Sequence, residues 1–398
     1  MNSIKQKTVV IVGGGAAGLM TAMQLSPLFK IVIIEKEKSI GRKLLVAGNG
    51  GFNLTNNCAN EALINQYSPS EMLADCLNLF SPKDLQTFLF NLGIETYVGT
   101  SGRVFPKQGI KPIEVLEAFK QKLNKNNVLI KLDHQFVSFT NQSIEVLNPQ
   151  KEIETLAFDY CVFALGGASW SKTGSDGKWT SVFESQAVKV LPFQASNCGL
   201  NVDWNTGFLE HHEGKPLKNI SFTIANKKVK GEGLITSSGI EGNAIYPLIG
   251  AVRNNLEHNH TAVLAIDFKP NNTRAQLLNK MKGRTHKNYS KLLNLSTLEM
   301  ALLKSYVTKE EFLDLSKFID KLKNLPIPIT GLRPVEEAIS TVGGISFTDL
   351  KSDFSLKKSP NIYTIGEMVD WDAPTGGFLL QACFSMGNSV ANSINERG

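Results

Sequence analysis

Hydrophobic positions near the start of the chain change from a continuous run to helical spacing and back. Thr8–Val12 is a β-branched run, which is typical of a strand buried on both faces of a parallel sheet. Apolar residues then recur at helical spacing over 19–25, and a second apolar run covers 31–34. Strand, glycine turn, helix and strand together take about 30 residues, the length that a parallel crossover unit requires.

Further along, the pattern predicts more elements of an α/β domain. The segment 41–57 is rich in glycine and asparagine and has too few periodic apolar residues for a helix or a strand. Helices are predicted at 69–93 and 112–124, and strands at 128–132, 135–140, 143–147, 153–158 and 161–164. After the middle of the chain, a strand is predicted at 360–365, a loop at 366–377 and a closing helix at 379–392.

The middle of the chain has a different character. Short alternating segments broken by glycine and asparagine predict an antiparallel β unit over 191–270, and apolar residues at helical spacing predict a helical part over 271–325. The Leu-Pro-Ile-Pro sequence at 325–328 is expected to be the exit linker. We therefore predict an inserted domain at 191–327, which divides a Rossmann-type α/β domain into the segments 1–190 and 328–398.

Composition supports a folded protein of more than one domain. The chain has 398 residues, 42% of them hydrophobic and 20% charged, and one core rarely organises more than about 250–300 residues. No apolar stretch reaches the roughly 20 residues that span a bilayer, and the polar N-terminus does not resemble a signal peptide. No membrane partner is predicted.

Charge and cysteine usage narrow the expected partners and location. The net charge of +6 is modest, and lysines and arginines are dispersed without interleaved aromatic residues, so we expect a small-molecule substrate and no nucleic acid. The five cysteines are odd in number and form no CxxC pair. This pattern favours reduced thiols in a cytoplasmic protein.

The first glycine turn has the spacing of a dinucleotide-binding motif. Gly13, Gly15 and Gly18 form GxGxxG between the first strand and helix. The first glycine permits the tight turn, the second allows backbone to approach a pyrophosphate, and the third allows close helix–strand packing. Glu35 ends the second strand, where an acidic residue accepts hydrogen bonds from an adenosine ribose. The alternative is a glycine-rich turn in an ordinary α/β protein.

The segment 41–57 is a second candidate binding loop. Its flexible backbone and amide side chains can lie against a flat heteroaromatic ring and offer polar groups to its edge. The alternative is an asparagine-rich surface turn.

Four sequence blocks together resemble the HI0933-like (BaiN-type) family of FAD-binding flavoproteins. GRKLLVAGNGGFNLTN at 41–56 is similar to the family's GRKLL-x-SGGGRCN-x-TN. The other blocks are ALGGASW with TGSDG at 164–177, RPVEEAISTVGGIS at 333–346 and IGEMVDWDAPTGGFLLQACFSMG at 365–387. They follow the family's order along almost the whole chain.

The resemblance implies a bound FAD and its contacts. The first glycine turn would hold the pyrophosphate, Glu35 the adenosine ribose, and Glu367 the ribityl or pyrophosphate region. The helix that starts after Gly377 would point its N-terminus at the pyrimidine end of the flavin, where reduced flavin is negative. The predicted cofactor-binding residues are Gly13, Gly15, Ala16, Ala17, Gly18, Glu35, Lys36, Arg42, Lys43, Asn49, Gly50, Gly51, Asn53, Thr55, Ala164, Gly166, Gly167, Gly366, Glu367, Thr375, Gly376, Gly377 and Phe378.

The chain departs from the family pattern near the expected flavin site. Phe52 replaces the usual cysteine, Asn49 replaces glycine or serine, and 378–380 reads Phe-Leu-Leu in place of Tyr-Asn-Leu. A Trp-Asp-Ala-Pro insert occupies 371–374. These changes bear on the substrate more than on the cofactor.

No residue is predicted to be the catalytic acid or base. Asp370 and Asp372 lie in the right loop, but loop carboxylates are usually solvated, and Trp371 has either a stacking or a packing role. The histidine pairs at 211–212 and 258/260 lie in polar segments expected to be loops without a third ligand, so no metal site is predicted. Cys58 and Cys383 are expected to be inert thiols.

The predicted function is an FAD-dependent oxidoreductase that transfers a hydride or electrons between a small-molecule substrate and FAD. A second GxGxxG is absent from the sequence, so either NAD(P)H binds transiently as the reductant or the reductant is another molecule. One alternative is an FAD-binding module with a redox-sensing or partner-binding role and no dedicated turnover. Another is an NAD-only dehydrogenase with a Rossmann core.

Overall fold

The computed structural model describes residues 6–46 and 52–398, which form two compact units. The first unit comprises Met1–Gln194 and Ser340–Gly398, and the inserted unit comprises Ala195–Ile339.

The strands are β1 (Thr8–Val12), β2 (Lys30–Ile34), β3 (Thr55–Asn56), β4 (Thr96–Val98), β5 (Arg103–Pro106), β6 (Leu129–Lys131), β7 (Gln135–Phe139), β8 (Ser143–Leu147), β9 (Ile153–Ala157), β10 (Tyr160–Phe163), β11 (Val190–Ser196), β12 (Leu200–Asn201), β13 (Pro216–Ile224), β14 (Lys227–Thr236), β15 (Gly239–Glu241), β16 (Ala262–Asp267), β17 (Leu325–Ile329), β18 (Gly331–Leu332), β19 (Ser340–Ile345), β20 (Ser355–Leu356) and β21 (Ser359–Thr364). The helices are α1 (Ala16–Gln24), α2 (Arg42–Val46), α3 (Asn60–Ile64), α4 (Ala74–Leu79), α5 (Pro82–Asn91), α6 (Pro112–Lys125), α7 (Thr180–Ser185), α8 (Thr206–His212), α9 (Ile249–Asn259), α10 (Arg274–Met281), α11 (Tyr289–Leu293), α12 (Thr297–Tyr306), α13 (Lys309–Leu313), α14 (Leu315–Lys323) and α15 (Phe378–Arg397).

A six-stranded sheet in the order β20-β21-β10-β1-β2-β6 organises the first unit. The pairs among β21, β10, β1, β2 and β6 are parallel. Val9 to Val12 of β1 are buried on both faces of the sheet, as the continuous apolar run predicts. The register pairs Val12 with Ile34 and Phe163, and Phe163 with Thr364. Since these residues end their strands, the loops that follow all emerge at one edge of the sheet.

Helices α1 and α15 pack closely beside this sheet. A Cβ on Gly387 would lie 2.6 Å from the carbonyl oxygen of Ala17, so glycine permits the close approach of the two backbones. The hydroxyl of Thr21 donates to the carbonyl of Gly387 at 3.2 Å. Within the described ranges, no helix has both the length and the apolar character that crossing a bilayer demands.

The first unit contains elements that the sequence pattern did not predict. The segment 41–57 contains the short helix α2 and strand β3, and the predicted helix at 69–93 consists of α4 and α5. The break comes at Ser81, whose hydroxyl caps α5 while Pro82 occupies its first turn. Strands β4 and β5, which were not predicted, join β3 in a small sheet of order β3-β5-β4. The predicted strands at 135–140, 143–147 and 153–158 are β7, β8 and β9, which form another sheet.

The inserted unit contains a seven-stranded sheet in the order β17-β16-β13-β14-β15-β12-β18. The expected linker at 325–328 is wrong, because Leu325–Ile329 forms β17. Its positions alternate between buried and exposed, and both prolines are at exposed positions of a strand at the sheet edge. Proline is tolerated there because no neighbour needs its N–H. Helices α8 and α9 interrupt the predicted β segment.

Candidate functional site

The candidate site lies at the sheet edge where β1, β2, β10 and β21 end. A Cβ on Gly13, which has φ +111°, would lie 2.3 Å from the Ala164 carbonyl oxygen. A Cβ on Gly18 would lie 2.1 Å from the Gly13 carbonyl oxygen. Both glycines are thus required by packing within the protein. A Cβ on Gly15 would meet no described atom within 4 Å, so this glycine leaves open space before α1.

Helix α1 presents its N-terminus to that space. Gly15 is its N-cap, and of the described side chains none caps it. The first turn, which begins with Ala16 and Ala17, contains no acidic residue. The unpaired N–H groups and the positive end of the helix dipole therefore favour an anion here.

Glu35 connects the end of β2 to the glycine turn. One carboxylate oxygen accepts a hydrogen bond from the Gly14 N–H at 2.9 Å, and the other accepts from the Glu37 N–H at 2.9 Å. Burial raises the pKa of Glu35 above 4.5, and the two backbone hydrogen bonds oppose this shift. Each carboxylate oxygen retains a further lone pair that a ligand hydroxyl can use.

The three predicted cations beside the site are paired with acidic residues. Lys36 lies 3.0 Å from Asp176. Arg42 pairs with Glu37 and also donates to the carbonyl of Lys172. Lys43 donates to Glu367 at 2.6 Å and to the Ser169 hydroxyl at 3.0 Å. These pairs connect α2 and the end of β2 to the loops that follow β10 and β21.

The loop after β10 crosses the site through its glycines. The N–H of Ala164 continues the sheet by donating to Val12 at 2.8 Å. A Cβ on Gly166 would lie 2.8 Å from the Ser175 hydroxyl oxygen, and one on Gly167 would lie 2.0 Å from the Thr341 hydroxyl oxygen. Small residues are therefore needed here to keep the loop against its neighbours.

The insert at 371–374 packs inside the first unit. Trp371 is only 2% exposed, and its indole N–H donates to the carbonyl of Gly366 at 2.8 Å. Tyr67 stacks at an angle beside Trp371 and donates its hydroxyl to the carbonyl of Phe378 at 2.8 Å. These contacts hold both ends of the loop 366–377, so the observed role of Trp371 is packing.

Strand β3 docks against the start of α15. A Cβ on Gly377, which has φ +99°, would lie 2.4 Å from the Thr55 carbonyl carbon. The Thr55 hydroxyl donates to the side-chain carbonyl of Gln381 at 2.6 Å, and the Asn56 amide donates to the carbonyl of Gly376 at 3.3 Å. Sequence reasoning assigned no role to Gln381, although it lies in the family-like block at 365–387 and is a polar residue on the buried face of an apolar helix.

Arg103 is the other residue that sequence reasoning missed. It begins β5 and pairs with Asn56 of β3. Its Nε lies 3.5 Å from the position of a Cβ on Gly376, beside the start of α15. A lone arginine in a short polar segment gives no signal in the sequence.

Three predicted residues lie outside the described part of the chain. Asn49, Gly50 and Gly51 fall outside the described residues, whereas Asn53 lies in the segment that leads into β3. Thr375 lies in the loop before α15, between the insert and Gly376.

Asp370 and Asp372, the two aspartates of the candidate loop, have structural contacts through a side chain and through the backbone, respectively. Asp370 accepts a hydrogen bond from the Gly343 N–H at 3.0 Å. Asp372 pairs through its backbone with Ser68. Both contacts hold the insert against neighbouring segments of the first unit.

The last candidates from the sequence are the histidines, considered as metal ligands, and the cysteines, considered as thiols. The expectation of loops at the histidine pairs is wrong, because 211–212 ends α8 and His258 lies in α9. No cluster of metal-binding side chains occurs among the residues described here. Burial raises the pKa of Cys383 to about 12 and also raises the pKa of Cys58, so both are thiols at neutral pH.

The chain is similar along nearly its whole length to a known protein family and to proteins of named activity. The sequence profile of a family described as "HI0933-like protein Rossmann domain" matches residues 7–393. The chain is 24% identical over 407 residues to the ribosomal RNA dihydrouridine synthase of Haemophilus influenzae, covering 98% of both chains. It is 22% identical over 418 residues to the 3-dehydro-bile acid delta(4,6)-reductase of Clostridium scindens, covering 97% of this chain and 98% of the relative.

A solved structure shares the fold. The 3-ketosteroid delta1-dehydrogenase of Sterolibacterium denitrificans, in complex with 1,4-androstadiene-3,17-dione, superposes with a TM-score of 0.54 at 12% identity. The match covers 99% of this chain and 100% of that one. The Rossmann-type α/β fold predicted from the sequence is confirmed.

Proposed function

The chain belongs to the HI0933-like protein Rossmann domain family, and from this premise we propose that it binds FAD and transfers electrons between FAD and an organic substrate. The names of two relatives, a dihydrouridine synthase and a delta(4,6)-reductase, describe reactions that saturate a double bond. The sequence-based prediction of a flavin-dependent enzyme whose substrate is unidentified agrees with them.

The glycine turn before α1 is the observation that carries the proposal. Gly13 and Gly18 are required by internal packing, but the space beside Gly15 at the helix N-terminus serves no internal contact among the described residues. A pyrophosphate fits that space because it accepts hydrogen bonds from helix N–H groups and complements the helix dipole.

The other candidate residues would bind the remaining parts of FAD. The carboxylate of Glu35 would accept hydrogen bonds from the adenosine ribose. The Lys43–Glu367 pair and the glycines of 164–167 would line the middle of the cofactor. The N-terminus of α15, at Gly377 and Phe378, would face the pyrimidine end of the flavin. When bound, FAD supplies the electron-transfer chemistry, and these residues bind and orient it.

We propose a carbon–carbon double bond conjugated to a carbonyl group as the substrate feature. Dihydrouridine differs from uridine by saturation of such a bond, and a 3-dehydro steroid with delta(4,6) unsaturation contains the same conjugation. Both names therefore imply one reaction class, in which two electrons and two protons are added across the double bond. NAD(P)H is the proposed source of the electrons, bound transiently.

Two substrate sources share this chemistry. A small enone follows the expectation of a small-molecule partner. Uridine in ribosomal RNA is the second candidate, because the Haemophilus influenzae relative is named a ribosomal RNA dihydrouridine synthase. Its alignment with this chain covers 98% of each protein. The modest net charge of +6 and the dispersed basic residues favour the small enone, so the RNA candidate rests on the relative's name.

Anaerobic reduction of the purified protein tests these proposals. We expect a yellow protein whose flavin is reduced by NADH or NADPH and is then re-oxidised by a 3-oxo-4-ene steroid or by ribosomal RNA that lacks dihydrouridine. Re-oxidation by the RNA alone would select the second candidate. Flavin that is re-oxidised only by oxygen would favour the redox-sensing module, and a colourless protein that takes up no FAD would refute the proposal.

A further inference from the structure

Arg103 occupies a defined place beside the start of α15. Its strand, β5, pairs with β3 at Asn56, and the amide of Asn56 donates to the Gly376 carbonyl. The backbone of Thr55 lies directly against Gly377. The sheet that carries Arg103 is thus fixed to the residues that begin the helix. The Nε of Arg103 lies 3.5 Å from the position of a Cβ on Gly376.

Arg103 is half-buried, and among the described residues no carboxylate pairs with its guanidinium. Across 6–46 and 52–398, no hydrogen bond or ion pair involves its side chain. Other arginines of the chain are paired, for example Arg42 with Glu37 and Arg397 with Asp353. Partial burial of an unpaired cation costs free energy, so such a group is normally retained where a ligand supplies the counter-charge.

The N-terminus of α15 adds a second source of positive charge beside Arg103. Helix α15 runs over 20 residues from Phe378, and no acidic residue lies in its first turn. Gly376, which lies next to Arg103, is two residues before the first residue of this helix. The guanidinium of Arg103 and the N-terminus of α15 together favour binding of a ligand that carries or develops negative charge beside them.

We propose that Arg103 contacts the pyrimidine end of the flavin and favours its reduced, negatively charged form. This assignment rests on the proposed binding of FAD, with the start of α15 facing the pyrimidine ring. A charge-assisted hydrogen bond from a guanidinium contributes about 1.5–3 kcal/mol. Because oxidised flavin is neutral at this end, Arg103 should strengthen binding of the reduced form more than binding of the oxidised form.

The midpoint potential of bound FAD tests the assignment in the full-length protein. In Arg103→Gln we expect reduced FAD to bind about tenfold more weakly relative to oxidised FAD, which lowers the two-electron potential by about 30 mV. Arg103→Lys should retain most of the wild-type potential because it keeps the charge. Lys107→Gln is the matched control, since it removes one charge from an exposed side chain paired with Glu95 in the same segment.

Other results would overturn the assignment. An unchanged potential in Arg103→Gln, with a raised KM for the substrate, would place Arg103 against the substrate instead. An equal shift in Lys107→Gln would show a general charge effect. Arg103→Met, which keeps the aliphatic stem, repeats the measurement if Arg103→Gln does not fold. A wild-type protein without FAD would refute the proposed function together with this assignment, whereas flavin with an unchanged potential refutes the assignment alone.

Discussion

The Nζ of Lys43 lies 2.6 Å from a carboxylate oxygen of Glu367, although 324 positions separate the two residues in the chain. The side chain of Glu367 is 12% exposed and that of Lys43 is 30% exposed. Lys43 also donates to the Ser169 hydroxyl at 3.0 Å. This ion pair fixes α2 to the loop that follows β21, so it connects two segments that sequence analysis assigned separately to the cofactor.

Replacing Lys43 should destabilise the protein. In Lys43→Met the carboxylate of Glu367 loses its cation while it stays mostly buried, so we expect the free energy of unfolding to fall by about 1–3 kcal/mol. Urea denaturation of the FAD-free protein measures this loss. The double variant Lys43→Met with Glu367→Gln should recover part of it, because no unpaired charge remains. Equal stability of wild type and Lys43→Met would show that the pair contributes nothing.

Two glycines of the same turn should respond differently to alanine. In Gly18→Ala the new Cβ would meet the Gly13 carbonyl oxygen, so we expect a loss of about 1–3 kcal/mol in unfolding free energy. In Gly15→Ala the Cβ enters open space, so the thermal midpoint of the FAD-free protein should stay unchanged. The same methyl group would lie where we place the pyrophosphate, and FAD affinity should fall at least about tenfold.

Thermal unfolding without FAD and titration with FAD separate these two outcomes. Unchanged FAD affinity in Gly15→Ala would mean that the ligand does not approach the N-terminus of α1. Unchanged stability in Gly18→Ala would mean that the turn relaxes more easily than its packing indicates.

The parts of the candidate site that depend on local backbone structure could be predicted from the sequence. The run at Thr8–Val12, the glycine spacing and Glu35 follow from the burial of a parallel strand and from the turn that a helix N-terminus needs. These features are local, so one sequence is enough to predict them. The partner of Lys43 could not be predicted, because ion pairs between distant segments leave no periodic pattern.

Arg103 and Gln381 show the same limit. Each lies in the candidate site through the docking of β3 and β5 beside the start of α15, and strands of two and four residues carry too little pattern to predict that docking. The wrong linker at 325–328 has a similar cause. Proline usually interrupts sheets, and only the tertiary position of β17 at a sheet edge makes it acceptable there.

Acidification should weaken FAD binding through Glu35. Burial raises the pKa of Glu35 above 4.5 in the FAD-free protein, and only the ionised carboxylate accepts two ribose hydrogen bonds while it keeps those from Gly14 and Glu37. The protein should therefore bind FAD with full affinity above this raised pKa, and the affinity should fall as the pH falls through it. Fluorescence titrations with FAD from about pH 8 to about pH 5 should show the decline.

The variant Glu35→Gln provides the comparison for that pH dependence. We expect it to bind FAD more weakly at neutral pH and with a flatter pH profile, since it has no carboxylate to titrate. Glu184→Gln, which changes an exposed glutamate, should behave as wild type. A wild-type profile in Glu35→Gln would remove Glu35 from the binding site.

The hydrogen bond between Thr55 and Gln381 should couple β3 to α15. Both side chains are fully buried, and the amide of Gln381 also donates to the Phe80 carbonyl at 2.8 Å. In Gln381→Leu the Thr55 hydroxyl loses its acceptor, so we expect a loss of about 2–3 kcal/mol in the free energy of unfolding. Thr55→Val should cost about 1–2 kcal/mol, because it leaves the Gln381 carbonyl without its donor.

A double-mutant cycle identifies the coupling. Since Thr55→Val with Gln381→Leu removes both partners, its loss measured by urea denaturation should be smaller than the sum of the two single losses. Gln66→Leu is the control, because Gln66 is exposed and its side chain donates to the nearby Ala62 carbonyl, and its effect should stay within about 0.5 kcal/mol. FAD affinity should fall in Gln381→Leu and not in Gln66→Leu, because β3 carries the segment that we place against the flavin. Additive losses in the cycle would mean that the two side chains stabilise the first unit independently and that this bond does not hold β3 on α15.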